Sequence, residues 1–138
     1  MKKNIIRIIA VCLVCVTSCV MLASCGAPNQ DPDKALESLK NNGVVWAGKD
    51  DTYLPGVLTI AGVKGVDCVV SGTGKIDDDY AHITIIYFDT AKDANEAWDD
   101  IQDRAEDEKK DAEDSQWVCK KSGKMIYYGT KNAIKAAS

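Results

Sequence analysis

Tyr80-Ala81-His82-Ile83-Thr84-Ile85-Ile86-Tyr87-Phe88 is the stretch on which the fold turns. It is dense in β-branched and aromatic residues, the types that suit a pleated, half-buried surface. With a period of two, Ala81, Ile83, Ile85 and Tyr87 share the face expected to meet the core, and His82 and Thr84 share the other. Upstream, Val66-Asp67-Cys68-Val69-Val70-Ser71 alternates in the same way, with Val66, Cys68 and Val70 together on one face. The glycine- and aspartate-rich segment Gly72 to Asp79 between them predicts a turn.

Working outward, Thr90 or Asp89 is placed to cap a long helix running to about Lys110. Its apolar stripe is Ala94, Ala97, Trp98, Ile101 and Ala105, at helical spacing. Trp117-Val118-Cys119-Lys120 and Met125-Ile126-Tyr127-Tyr128 flank Ser122-Gly123, which predicts a hairpin with a two-residue turn there. That register sets Trp117 opposite Tyr128 and Cys119 opposite Ile126. Thr130 then caps a short last helix with Ala133 and Ile134 inward.

Towards the N-terminus, Asp31-Pro32 reads as N-cap and first helical residue, and Ala35, Leu36 and Leu39 form a stripe ending at Asn42-Gly43. Val44-Val45-Trp46-Ala47 predicts a short strand. Residues 51–64 give no clean period around Pro55 and Gly56, consistent with a short helix or an irregular crossover. The whole reads as α+β: a single antiparallel sheet of four to five strands with helices on one face. The middle is a ferredoxin-like βαββαβ unit, with an extra N-terminal helix and a C-terminal strand and helix.

The first 24 residues have a different character. Lys2, Lys3 and Arg7 precede an apolar run from Ile8 to Met21, and the small residues Ala23 and Ser24 precede Cys25. This is the three-part layout of a secretory signal. The run is shorter than the roughly 20 residues needed to span a bilayer as a helix. Leu22-Ala23-Ser24-Cys25 resembles the lipobox of bacterial lipoprotein precursors at every position. The resemblance implies diacylglycerol on the Cys25 sulfur, cleavage between Ser24 and Cys25, and an acylated, palmitate-bearing mature N-terminus. Val16-Thr17-Ser18-Cys19 is a rival match that would leave a shorter apolar run. Three segments follow from this reading: a signal peptide at 1–24, a lipidated tether at 25–31, and a single α+β domain at 32–138. With Tyr128-Gly129-Thr130-Lys131-Asn132-Ala133-Ile134-Lys135 near its end, the mature part is similar to small uncharacterised lipoproteins of Gram-positive bacteria, a likeness that supplies no activity.

The leader holds three of the 17 Lys+Arg and none of the 21 Asp+Glu, so the remainder carries 14 positive against 21 negative charges. So acidic a domain is a poor partner for nucleic acid or for an anionic membrane face. Of six cysteines, Cys12, Cys15 and Cys19 fall in the leader and Cys25 takes the lipid, leaving Cys68 and Cys119. No Cys/His cluster remains for a structural zinc. A ferredoxin-like strand order puts Cys68 and Cys119 three strands apart, roughly 14 Å. A disulfide reaches across only about 7 Å, so both are expected to be free.

Candidate chemistry is sparse. Glu96, Asp99, Asp100, Asp103, Asp107 and Asp111 line the long helix and read as a solvated face. Asp77-Asp78-Asp79 lacks the spacing of a calcium loop, and Gly72-Thr73-Gly74-Lys75 lacks that of a phosphate loop. His82 is the only histidine, and it is expected on the face opposite Cys68 and Cys119, which excludes a Cys-His pair. Trp46, Trp98 and Trp117 each sit where a core aromatic belongs, and would form a sugar-stacking platform only if exposed. No catalytic, cofactor or metal residues emerge. The expectation is a lipoprotein held at the cell membrane by the lipid on Cys25, facing outside the cytoplasm. It serves as a non-enzymatic binding or interaction module for a protein or glycan, with no cofactor. The alternatives are a small hydrolase using Asp79, His82 or an acidic pair in the turn, and a purely structural envelope protein.

Overall fold

A computed structural model of the chain describes residues 26–112 and 116–138. The leader, Cys19 and the proposed cleavage and lipidation residues Ser24 and Cys25 lie outside the described residues.

The centre of the sheet is a long hairpin of β2 (Val66–Ile76) and β3 (Asp79–Phe88). Its turn is only Asp77-Asp78, with φ of 51° and 68°. Two left-handed residues make the mirror-image turn whose twist matches that of paired strands. The turn expected over Gly72 to Asp79 is therefore corrected: Gly72 to Ile76 continues β2. The glycines there serve a close approach. A Cβ on Gly72 would lie 2.7 Å from Val44 Cγ1, where the incoming chain crosses the strand. That crossing segment also displaces β1 to Trp46–Asp50, slightly later than expected.

The sheet has five strands in the order β1-β2-β3-β5-β4, where β4 is Trp117–Ser122 and β5 is Met125–Thr130. Every pairing is antiparallel. The α+β class and the single antiparallel sheet are as expected, but the ferredoxin-like order is not. The reason lies in burial. All six residues of β5 are buried, whereas β4 and β1 are half-exposed. The strand that is apolar on both faces takes the interior place beside β3, and its partially polar neighbour takes the edge. The hairpin register is also corrected. Trp117 faces Thr130, Cys119 faces Tyr128 and Ser122 faces Met125, so Gly123 and Lys124 form the turn.

Helices cover both faces of the sheet rather than one. On one face, α1 (Pro32–Asn41) and α4 (Lys131–Ala136) supply Ala35, Leu39, Ala133 and Ile134 to a core with Val70, Ile83, Ile85 and Tyr127. On the other, α2 (Tyr53–Ile60) and α3 (Ala91–Lys109) set Leu58, Ala97, Ile101 and Ala105 against Val69, Ile86, Ile126 and Tyr128. The runs Ile85-Ile86-Tyr87-Phe88 and Met125-Ile126-Tyr127-Tyr128 are apolar without alternation, the mark of strands buried on both sides.

The helix ends follow their capping chemistry. Asp31 Oδ1 accepts from the amides of Asp33 (2.9 Å) and Lys34 (3.4 Å), with Pro32 at the first helical position. Asp50 Oδ1 accepts from Thr52 and Tyr53 at 2.8 Å each and starts α2, in whose first turn Pro55 is tolerated. Thr90 caps α3 through the Asp93 amide at 3.1 Å. Thr130 does not cap α4 with its side chain; Asn132 Oδ1 accepts from the Ala133 amide instead. The two ends of the domain are tied together. The Asn29 amide donates to Ala137 O (2.9 Å), and the Tyr87 hydroxyl donates to Asn29 O (2.8 Å). Ser38 Oγ donates to Ser138 O (2.9 Å). Among the described residues, no helix is long and apolar enough to cross a membrane.

Candidate functional site

Pairing in the sheet lines up Trp46, Thr73, His82, Thr130 and Trp117 across all five strands. Trp46, Thr73, His82 and Trp117 look onto the face that carries α2 and α3. The Thr130 hydroxyl lies close to the sheet backbone, accepting from the His82 amide at 3.1 Å. Gly129 makes this approach feasible. Its φ is +145°, and a Cβ there would collide with the His82 carbonyl oxygen.

The last turn of α3 brings Glu108 onto this row. His82 Nε2 lies 3.3 Å from Glu108 Oε2, and the Tyr128 hydroxyl donates to Glu108 Oε1 at 2.9 Å. Burial pushes the Glu108 carboxyl up, but the bonds from His82 and Tyr128 outweigh it and hold the group below its ordinary value. An ionised carboxylate only accepts, so Nε2 carries a proton. In the neutral ring Nδ1 is then an acceptor, and the Thr73 hydroxyl, 3.3 Å away, donates to it. The Tyr80 and Trp117 rings both lie nearly parallel to the imidazole, with centroids at 6.4 and 5.8 Å. The Trp117 indole N–H is buried and has no hydrogen-bond partner among the described residues. His82 is thus a networked, half-buried residue.

The tryptophans behave differently from one another. Trp117 and Trp98 are half-buried, Trp98 under the Lys121 ammonium at 5.4 Å. Trp46, expected in the core, is 82% exposed. It stands on an edge strand where neither α2 nor α3 covers it. Further along the same face, Tyr53, Val57 and Ile60 of α2 are exposed while Leu54 and Leu58 pack inward. The spacing i, i+4, i+7 makes the exposed three a second apolar stripe on one helix. Among the described residues, six large hydrophobic side chains are exposed, and five of them lie between Val45 and Ile60. Residues 51–64 gave no clean period because this helix is apolar on two sides.

The remaining candidates resolve plainly. Cys68 and Cys119 are free, on opposite faces of the sheet, with β3 and β5 between their strands. Burial pushes the Cys68 thiol up to about 11 and raises Cys119 as well, so neither is a thiolate nucleophile at neutral pH. Cys119 shares a face with His82 after all, yet is neither fully buried nor hydrogen-bonded to it among the described residues. The α3 acids Glu96, Asp99, Asp100, Asp103 and Asp107 are exposed, with Lys92–Glu96 at 3.7 Å and Lys110–Asp107 at 2.8 Å as ion pairs. Asp77 and Asp78 form the hairpin turn, and Gly72 to Lys75 lies within β2. Among the described residues, no group of three or more His, Cys, Asp or Glu side chains could hold a metal ion. Compared with protein-family models, with curated proteins and with solved structures, the chain matches none of them.

Proposed function

We propose that this protein is a membrane-anchored binding module, held by a lipid on Cys25 outside the cytoplasm. It docks a partner protein on the exposed apolar surface of Trp46, Tyr53, Val57 and Ile60. The observation that carries the reading is that stripe on α2: a helix already packed through Leu54 and Leu58 has no folding reason to present a second apolar row to water. Asp51, just before α2, and the acidic face of α3 lie on the same side of the sheet. The partner surface that fits is therefore apolar and rimmed by basic side chains.

A photo-crosslinking residue at position 57, in cells, tests this. Adducts to one protein are expected, abolished by Ile60→Asp and weakened by added salt, with none from position 34 on the opposite side. Adducts to glycan instead, or adducts indifferent to Ile60→Asp, overturn it. The anchor is tested separately: Cys25→Ala should block lipid labelling and leave the precursor unprocessed. Labelling that persists, or moves to Cys19, sinks that assignment.

One observation favours a second reading. Thr73, His82 and Glu108 form a hydroxyl–imidazole–carboxylate relay, the arrangement that activates a nucleophile in hydrolases. Against it, Thr73 lies within the strand ladder between Trp46 and His82, not at a turn or helix N-terminus that would aim a pair of backbone amides at a substrate oxyanion. Ester hydrolysis lost in both Thr73→Ala and His82→Ala would reverse the preference.

A further inference from the structure

On the face opposite Trp46, the edge of the sheet and α4 enclose a cleft of about 600 Å³. Its apolar wall is Val118 of β4, Tyr127 of β5 and Ile134 of α4. Lys120, Lys131 and Lys135 converge on it from the same three-sided frame, and no acidic side chain lines it. None of the three is in an ion pair among the described residues. Ser138 also lines the cleft, and one oxygen of its α-carboxylate accepts from Ser38 Oγ, so three ammonium groups there face one carboxylate. In a domain with more acids than bases, three lysines around one apolar hollow are a local exception.

We infer that this cleft binds the phosphate group of an anionic phospholipid headgroup. Lysine ammonium groups are strong, rotatable phosphate donors. The apolar wall suits the glycerol and first methylenes that a lipid carries and free phosphate lacks. Position makes the lipid source the natural one. Gly26 lines the same cleft and directly follows Cys25, so a lipid on Cys25 would hold the cleft against the headgroup layer. Among the described residues, no acidic side chain lines the cleft, and charges beyond a Debye length of about 8 Å are largely screened at physiological salt, which weakens the domain's overall negative charge there. The inference rests on the anchoring reading for its placement at the bilayer, not for the chemistry of the cleft.

The test uses the full-length protein in a neutral detergent, followed by amide NMR. It is titrated with short-chain phosphatidylglycerol, short-chain phosphatidylcholine and inorganic phosphate. The expected result is shifts centred on Val118, Lys120, Tyr127 and Lys131 with phosphatidylglycerol. Affinity should fall about fivefold for each of Lys120→Gln, Lys131→Gln and Lys135→Gln, and be unchanged in Lys92→Gln. Equal affinity for phosphatidylcholine, or binding indifferent to the three substitutions, overturns the proposal. Equal affinity for inorganic phosphate overturns the lipid assignment and leaves free phosphate as the ligand. The comparison among ligands on the unaltered protein stands even if a variant folds poorly. Failure here is distinct from failure of the anchor: lost lipid labelling with headgroup selectivity kept removes the anchor alone, and the reverse removes the cleft alone.

Discussion

The two faces of the sheet are covered by equal numbers of helices but used differently. On the α1/α4 side the helices are short, and the chain ends are bonded to one another through Asn29, Ala137, Ser38 and Ser138. Its core runs from Ala35 and Leu39 to Tyr127, with the Tyr87 hydroxyl bonded to the backbone at Asn29. On the α2/α3 side the core is just as apolar at its centre, yet it ends in a polar network of Thr73, His82, Glu108 and Tyr128. Beyond the network the surface is exposed aromatic and aliphatic. One side closes the fold; the other spends part of its covering helices on groups that folding alone does not require.

The largest effects should come from both cores alike. Leu39→Ala on one side and Ile101→Ala on the other each remove a side chain with no solvent exposure, at a cost of about 2 to 5 kcal/mol. Denaturant titration measures both. If one substitution left the midpoint unmoved, that face would lie outside the cooperative unit and the comparison would fail.

Tyr128→Phe separates the network from the core beneath it. The ring stays and the bond to the Glu108 carboxylate goes, so a loss of about 1.5 to 3 kcal/mol is expected. A loss several times larger would mean that the ring itself is misplaced.

Glu108 should give this side a pH dependence. Its carboxyl is held below its ordinary value, so in acid the unfolded chain binds the proton first. The stabilisation is complete above the unfolded carboxylate range, near about 4.3, and is lost as pH falls through the lower folded value. Melting curves of the unaltered protein and of Glu108→Gln should therefore differ at neutral pH and converge in acid. A gap that stayed constant with pH would show that the network acts by packing rather than by charge.

The smallest effects should fall on the exposed surface. Trp46→Ala and Ile60→Asp each remove large apolar groups that touch little, so changes within about 0.5 kcal/mol are expected. A marked loss from Trp46→Ala would return that ring to a structural role and leave the binding surface to α2 alone.

The sequence made the strands and helices legible where a single pattern governed each. Tyr80 to Phe88 reads as a strand because every residue there suits one, and the Asp31 and Thr90 caps are local chemistry. What escaped was set by distant partners. Gly72 and Gly74 resemble turn residues until Gly43 and Val44 are found lying across them. The strand order depended on β5 being buried on both faces, a signal present in the unbroken run Met125 to Tyr128 but overshadowed by the expected crossover. For the site, the spacing of Trp46 gave no hint that its edge would be left open. The His82–Glu108 contact joins residues 26 apart along the chain, beyond any local periodicity.

If the proposed lipid on Cys25 holds the chain, the bond from Asn29 to Ala137 has a mechanical consequence. Tension entering at Ala27 does not first peel α1 from the sheet. It meets Asn29, whose amide is fastened to the C-terminal helix region and whose carbonyl is fastened to Tyr87 on β3. The load therefore divides between the far end of the chain and the middle strand of the sheet, while β1 and β4 at the margins carry neither fastening. A tug on the anchor would be taken up as shear across the centre of the domain, leaving the Trp46 edge unloaded.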